Sequence, residues 1–176
     1  MNRSSLSPSA RAAMIRVNQA GEYGAMRIYA GQRAILGDHA PGAREVAHME
    51  QQEQRHLDWF NAAIIRRGVR PTALQPIWHV AGYALGAATA ALGPEAAMAC
   101  TAAVEKEIDR HYGEQLDELG DSDPELSAAI ADFRAEEAEH RETALAHGAE
   151  SAPAYPLLAA AIGLGCRAAI ALAKRI

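Results

Sequence analysis

The stretch Glu137-Ala138-Glu139-His140, taken together with Glu53-Gln54-Arg55-His56, decides the fold of this 176-residue chain. Each is a Glu-x-x-His pair inside a charged run with helical character. Residues three apart on a helix share a face, so the carboxylate and the imidazole reach one point. One such pair is weak evidence. With 15 Glu and 7 His in this length, chance yields roughly 0.6 pairs. The chain holds three, at Glu45/His48, Glu53/His56 and Glu137/His140. A duplication singles out the last two. Each is preceded by a lone glutamate, and the interval from Glu22 to Glu53 matches that from Glu105 to Glu137 to within one position. The intervals from Glu22 to Glu105 and from Glu53 to Glu137 agree equally closely, a register that random charge does not produce. Glu45/His48 has no counterpart in the other half and lies about 12 Å along the helix from Glu53/His56. It is assigned to surface charge.

The flanking punctuation places each motif on its own helix. Ser7-Pro8 is a helix start, with Ser7 as N-cap and Pro8 in the first turn. Helix A is expected over about residues 9–36, with Met14, Val17, Met26, Ile28, Tyr29 and Ile35 as apolar contacts. Gly21, Gly24 and Gly31 interrupt it, and the first two flank Glu22. Glycine inside a helix marks close approach of another backbone or a ligand. Helix B is expected over about 43–67, ended by Gly68 and Pro71. Helix C follows over about 95–119, helix D over about 125–147, and an apolar helix over about 157–172. If A–B and C–D are antiparallel hairpins, the four lone or paired glutamates stand at matched levels, within roughly 6 Å along the axis.

Four buried carboxylates without counter-charge are prohibitive, and two divalent cations would neutralise them. One Glu from each of two helices and Glu-x-x-His from each of two others is the ligand set of ferritin-like di-iron and di-manganese bundles. The candidate ligands are therefore Glu22, Glu53, His56, Glu105, Glu137 and His140. Mixed carboxylate and imidazole donors suit iron, with manganese second, and the lack of thiolate argues against structural zinc. The expected fold is all-α: residues 1–176 form one ferritin-like four-helix bundle with a long crossover and a C-terminal apolar helix. Glu50, Glu107, Glu136, Glu139 and Glu142 are assigned to outer positions or the surface. Asn18 and Asp109, one turn from Glu22 and Glu105, are expected to face the site, with His111, Tyr112 and Tyr23 nearby.

Composition narrows the partners. A net charge of −5 argues against nucleic acid. Cys100 and Cys166 form no Cys-x-x-Cys and are expected as buried small hydrophobes. Residues 1–13 lack an apolar core, so no secretory signal is expected, and a bacterial-type or already mature chain is expected. The segment from Pro71 to Pro94 contains no Asp, Glu, Lys or Arg. Its length would cross a bilayer, but its Pro, Gly and polar residues favour a helix packed on the bundle at the membrane interface. Trp78, Tyr83, the Arg66/Arg67/Arg70 cluster and the basic C-terminus suit an anionic lipid surface.

The wider sequence resembles the demethoxyubiquinone hydroxylases of ubiquinone biosynthesis. The resemblance is carried by Arg16 through Ala25 (RVNQAGEYGA), Arg27 through Gln32, Arg70-Pro71-Thr72, Gly93 through Ala103 and Ala152 through Tyr155. It departs at Ala146, where the family pattern is acidic. The resemblance implies a monooxygenase whose metal ligands fall on the same six residues. It implies hydroxylation of a polyprenylated quinol with O2 and an external electron donor, NADH being the candidate. It further implies a peripheral position on the cytoplasmic face of the cell membrane. A homo-oligomer or a ubiquinone-biosynthesis complex is the candidate assembly. The rival readings are a ferritin-like ferroxidase or peroxidase, and a non-enzymatic membrane-associated helical module.

Overall fold

The computed structural model describes residues 6–176. The expectation of no secretory signal falls partly on residues 1–5, outside the described residues. Six α-helices follow in order: α1 (Pro8–Leu36), α2 (Ala43–Arg67), α3 (Gln75–Ala91), α4 (Pro94–Leu119), α5 (Pro124–Ala146) and α6 (Tyr155–Ala173). No strand occurs among the described residues, so the protein is all-α. A 3-10 turn at Ala149–Ser151, not anticipated from sequence, joins the last two helices. The crossover helix occupies only part of its uncharged segment: Pro76 fixes its first turn, and Gly93, with a φ of 124°, and Pro94 separate it from α4.

Local chemistry sets the helix ends. Ser7 accepts the Ala10 N–H, with Pro8 in the first turn, as the sequence predicts. Gly68 adopts a positive φ of 61°, letting its N–H reach the Ile64 and Ile65 carbonyls and stop α2. Asp123 caps α5 by accepting the Leu126 N–H at 3.2 Å. It also binds the Arg67 guanidinium at the end of α2, which ties the two ExxH-bearing helices together.

The chain is a repeat of one unit. Arg33 reaches Glu50, and Gln19 reaches Asn61, so α1 and α2 run antiparallel. Helices α4 and α5 pair in the same way, and each pair carries an outer apolar helix against its first member: α3 on α1, and α6 on α4. Helix α3 has no charge with which to dock, so it packs by backbone approach. A methyl on Gly86 would collide with the Ile28 carbonyl, and one on Gly31 with the Tyr83 carbonyl. A Cβ on Gly82 would lie 2.9 Å from the Gly24 carbonyl oxygen. Apolar clusters close both ends of the bundle. One holds Ile15, Phe60, Leu126 and Ile130; the other holds Val46, Met49, Met98 and Ala144.

Some expected core residues face outward. Ile35, in the last turn of α1, is 51% exposed, and Met26 is only half-buried. Cys100 is buried, but Cys166 is only partly so, because α6 is covered on one side alone. The uncovered faces are strongly apolar: Leu157 is 72% exposed, Leu164 64% and Val80 66%. Among the described residues, α6 is the one helix long and apolar enough to cross a membrane, on length and composition. Helix α3 has 17 residues, short of the roughly 20 a span needs.

Gly86→Ala is expected to destabilise by about 1–3 kcal/mol through overpacking against backbone, lowering Tm by about 2–4 °C per kcal/mol. Asp123→Ala should lose about 1 kcal/mol of capping at pH 7. Burial alone would raise the Asp123 carboxyl, but Arg67, the Leu126 N–H and Arg11 outweigh it and hold it below its usual value. A depressed carboxyl stabilises above its unfolded pKa of about 4, and that contribution is lost as pH falls through the lower folded value. Thermal melts of wild type and variant should therefore diverge at pH 7 and converge in strong acid.

Candidate metal centre

Each half of the repeat delivers three groups to mid-bundle: Glu22 from α1 with Glu53 and His56 from α2, and Glu105 from α4 with Glu137 and His140 from α5. The apolar layers above and below exclude water, and all six residues are 0–2% exposed. His56 Nδ1 lies 3.7 Å from Glu22 and 3.3 Å from Glu137. His140 Nδ1 lies 3.3 Å from Glu53 and 3.0 Å from Glu137. The donor atoms form two groups, each with all atoms within 4.8 Å of one another. One is Glu22, Glu53, His56 and Glu137; the other is Glu53, Glu105, Glu137 and His140. Glu53 and Glu137 belong to both, as carboxylates bridging two ions would.

The donor set fits metal. Among the described residues, ten buried side-chain atoms lack a hydrogen-bond partner, and eight belong to these six residues. They include both oxygens of Glu53 and of Glu137 and the Nδ1 atoms of both histidines, all turned inward. Folding tolerates such atoms where a cation satisfies them. Electrostatics agree. Burial, then the charge of Glu137, pushes the Glu53 carboxyl well above its ordinary value, and Glu105 behaves likewise. Burial also opposes ionisation of Glu137, but the facing His140 and His56 imidazoles outweigh it and leave it at about 2.

A brace of hydrogen bonds surrounds the six, and it too is duplicated. Tyr29 follows Glu22 by seven residues and donates to Glu105 at 2.6 Å. Tyr112 follows Glu105 by seven and donates to Glu22. Burial keeps both phenols well above their ordinary pKa, so they stay protonated donors. The residue before each ExxH glutamate receives the opposite histidine: His56 Nε2 meets Glu136 at 2.9 Å, and His140 Nε2 meets Gln52 at 3.1 Å. Further out, Asn18 pairs with Gln115 at 2.8 Å and Gln32 with Thr101 at 3.3 Å, again equivalent positions.

Several expected neighbours sit elsewhere. Asn18 bonds Gln115 and none of the six. Asp109 is drawn outward to Arg134 at 2.7 Å. His111 bonds Gln115, and Tyr23 bonds His79 at 2.6 Å. Glu50 pairs with Arg33, and Glu107 with Arg110 and Arg167. Glu139, Glu142 and His48 are exposed, while Glu45 faces His147 at 3.5 Å. Sequence reasoning missed Gln52 and took Tyr29 for an apolar contact. The same duplication that exposes the ligands would have found both, since each has a partner in the other half.

Two cavities approach the centre from opposite characters of surface. An apolar one of about 500 Å³ lies among α1, α3, α4 and α6, with Gly21, Ala25, Val104 and Ile108 on its inner wall. A polar one of about 380 Å³ is lined by Arg44, Glu45, His48, Gln52, Glu139 and His140.

Residues 9–173 match the family described as ubiquinone biosynthesis protein COQ7. The chain belongs to the COQ7 family. Its relatives include a 3-demethoxyubiquinol 3-hydroxylase of Rhodospirillum rubrum, 51% identical across 92% of this chain and 76% of the relative. An NADPH-dependent 3-demethoxyubiquinone 3-hydroxylase of Mus musculus is 54% identical with the same coverage. A mitochondrial 5-demethoxyubiquinone hydroxylase of Saccharomyces cerevisiae is 41% identical across 93% of this chain and 77% of the relative. The COQ7-family match spans all six helices, and hence both halves of the carboxylate–histidine cluster and both cavities.

Removing one carboxyl whose ionisation burial and Glu137 oppose should relieve the metal-free protein. Glu53→Gln is expected to melt higher than wild type when both are metal-free at pH 7, by about 2–4 °C per kcal/mol relieved. It should also lose the stabilisation that wild type gains from added Fe(II). Paired melts with and without metal check both outcomes.

Proposed function

We propose that this chain hydroxylates the ring of a polyprenylated demethoxyubiquinol, using O2 and a reductant, at two iron ions held by Glu22, Glu53, His56, Glu105, Glu137 and His140. Manganese is the alternative metal. The observation that carries the reading is the apolar cavity laid against the two helices that bear Glu22 and Glu105. Held by those six residues, iron would supply the O2 activation and one-electron chemistry that no side chain offers. The reaction converts a ring C–H to C–OH with one oxygen atom. The other oxygen leaves as water with two electrons and two protons from the reductant.

The chain's own part is shape, dryness and orientation. Gly21 and Gly24 widen the cavity beside Glu22, where an added Cβ would meet nothing within 4 Å. Leu85, Val104 and Ile162 make its walls apolar, which suits a benzoquinol ring and excludes water. Tyr29 and Tyr112 each hold one oxygen of Glu105 and Glu22, leaving the other for metal. Helices α3 and α6 form the cavity's outer wall and carry the exposed Ile77, Val80, Leu157 and Leu164. A polyprenyl tail lying in the bilayer would enter between them, with the protein peripheral on the cytoplasmic face of the cell membrane. The mouse relative's name specifies NADPH, and NADH is the other nucleotide to compare.

The test supplies demethoxyubiquinol, 18O2 and either nucleotide to the iron-loaded protein. The quinone product should gain one 18O. Gly24→Leu, which fills the cavity, should lower kcat/KM by about tenfold or more while two irons per chain are retained. Iron oxidation with no oxygenated quinone would instead make the protein a ferroxidase, and failure to bind metal would leave a non-enzymatic module.

A further inference from the structure

The two halves of the centre supply the same ligand types and the same tyrosine braces, but they differ where each histidine's outer nitrogen is received. Residue 52 precedes Glu53 and residue 136 precedes Glu137, so the two are equivalent in the repeat. Each Nε2 faces an oxygen that only accepts, so each Nε2 carries a proton. His56 therefore donates to a carboxylate, Glu136, which Arg55 pins at 2.5 Å. His140 donates to a neutral amide oxygen on Gln52. Gln52 in turn points its amide N–H toward Glu136 at 3.5 Å, so the two histidines are joined outside the centre by a single chain of bonds.

The surroundings differ in the same direction. The His56 ring stacks on Phe133 with centroids 4.2 Å apart and is fully buried. His140 and Gln52 line the polar cavity, whose other walls include Arg44, Glu45, His48 and Glu139. An anionic acceptor raises the donor strength of a ligating imidazole more than an amide does, and such outer partners alter metal affinity by about 10–100-fold. A dry aromatic cover also slows the exchange of ligand for water.

We propose that the two metal positions are inequivalent: the position at His56 binds first and retains its ion, and the position at His140 binds second and exchanges through the polar cavity. Glu136 and Gln52 are positioning residues that act through His56 and His140. This inference rests on the two-metal reading above. It also gives a place to Glu45/His48, the Glu-x-x-His pair left over by the duplication, at the wall of the cavity through which the second ion moves.

The experiment titrates Co(II) anaerobically into the metal-free full chain, following binding by calorimetry and by the hyperfine-shifted imidazole N–H proton resonances. Two steps of one ion each are expected. The first brings one shifted N–H, from His56, and the second brings another that His140→Gln abolishes. Glu136→Gln should weaken the first step by about 10–100-fold and leave the second within about threefold. In the exchanged pair Glu136→Gln/Gln52→Glu, the tight step should move to His140, a reciprocal shift that general loss of packing cannot produce. A chelator should strip one ion from wild type at least about tenfold faster than the other. One step of two equal ions, or equal changes at both steps in Glu136→Gln, would overturn the inference while leaving the two-metal reading intact. No binding at all would overturn both.

Discussion

The constraint on which this structure depends is the burial of four carboxylates at the middle of a helical bundle. Glu22, Glu53, Glu105 and Glu137 are all at most 1% exposed, with the His56 and His140 imidazoles set among them. Unpaired, such charges are costly enough that a fold would normally avoid them. Here the fold is built around them. Apolar clusters seal both ends, tyrosines brace the outer glutamates, and the remaining lone pairs all point to one small volume. A centre of this kind sacrifices apo stability for affinity toward divalent cations, the general relation between metal binding and folding.

Duplication is the means by which the chain builds it. Each half contributes a lone glutamate, a Glu-x-x-His pair, a tyrosine one heptad after the lone glutamate, and an outer apolar helix. The braces run across the pseudo-twofold, so neither half completes its own set. Tyr29 serves Glu105, Tyr112 serves Glu22, and each histidine is received by the opposite ExxH helix. The halves are structurally interdependent, because Glu22, Glu105, His56 and His140 are each held by a residue of the other half.

The symmetry of the ligands contrasts with the asymmetry of access. The repeat places α3 and α6 together on one side, where their apolar faces enclose a cavity and continue to an exposed hydrophobic surface. The α2–α5 side carries charge and a polar cavity. Under the proposed function, a quinol and a hydrated cation would each reach the centre by a route matched to its polarity. The relatives' names specify a demethoxyubiquinol or demethoxyubiquinone as the compound hydroxylated.

By itself the sequence placed the six helices, the crossover's bounds excepted, and singled out the six candidate ligands. Helix caps, proline and glycine act locally, and a 3.6-residue period fixes which side chains share a face. The matched intervals from Glu22 to Glu105 and from Glu53 to Glu137 then tied distant glutamates to one level. What only the tertiary structure decided is which polar residue meets which. Asn18 and Asp109 lie one turn from ligands, yet Gln115 and Arg134 claim them. Gln52, Glu136 and Tyr29 gain their roles from helices far away in sequence. Cross-helix contacts depend on interhelical rotation and separation, which the glycines of the α1–α3 contact help to set. No local periodicity encodes those quantities, so the partners of the centre became visible only once the bundle was assembled.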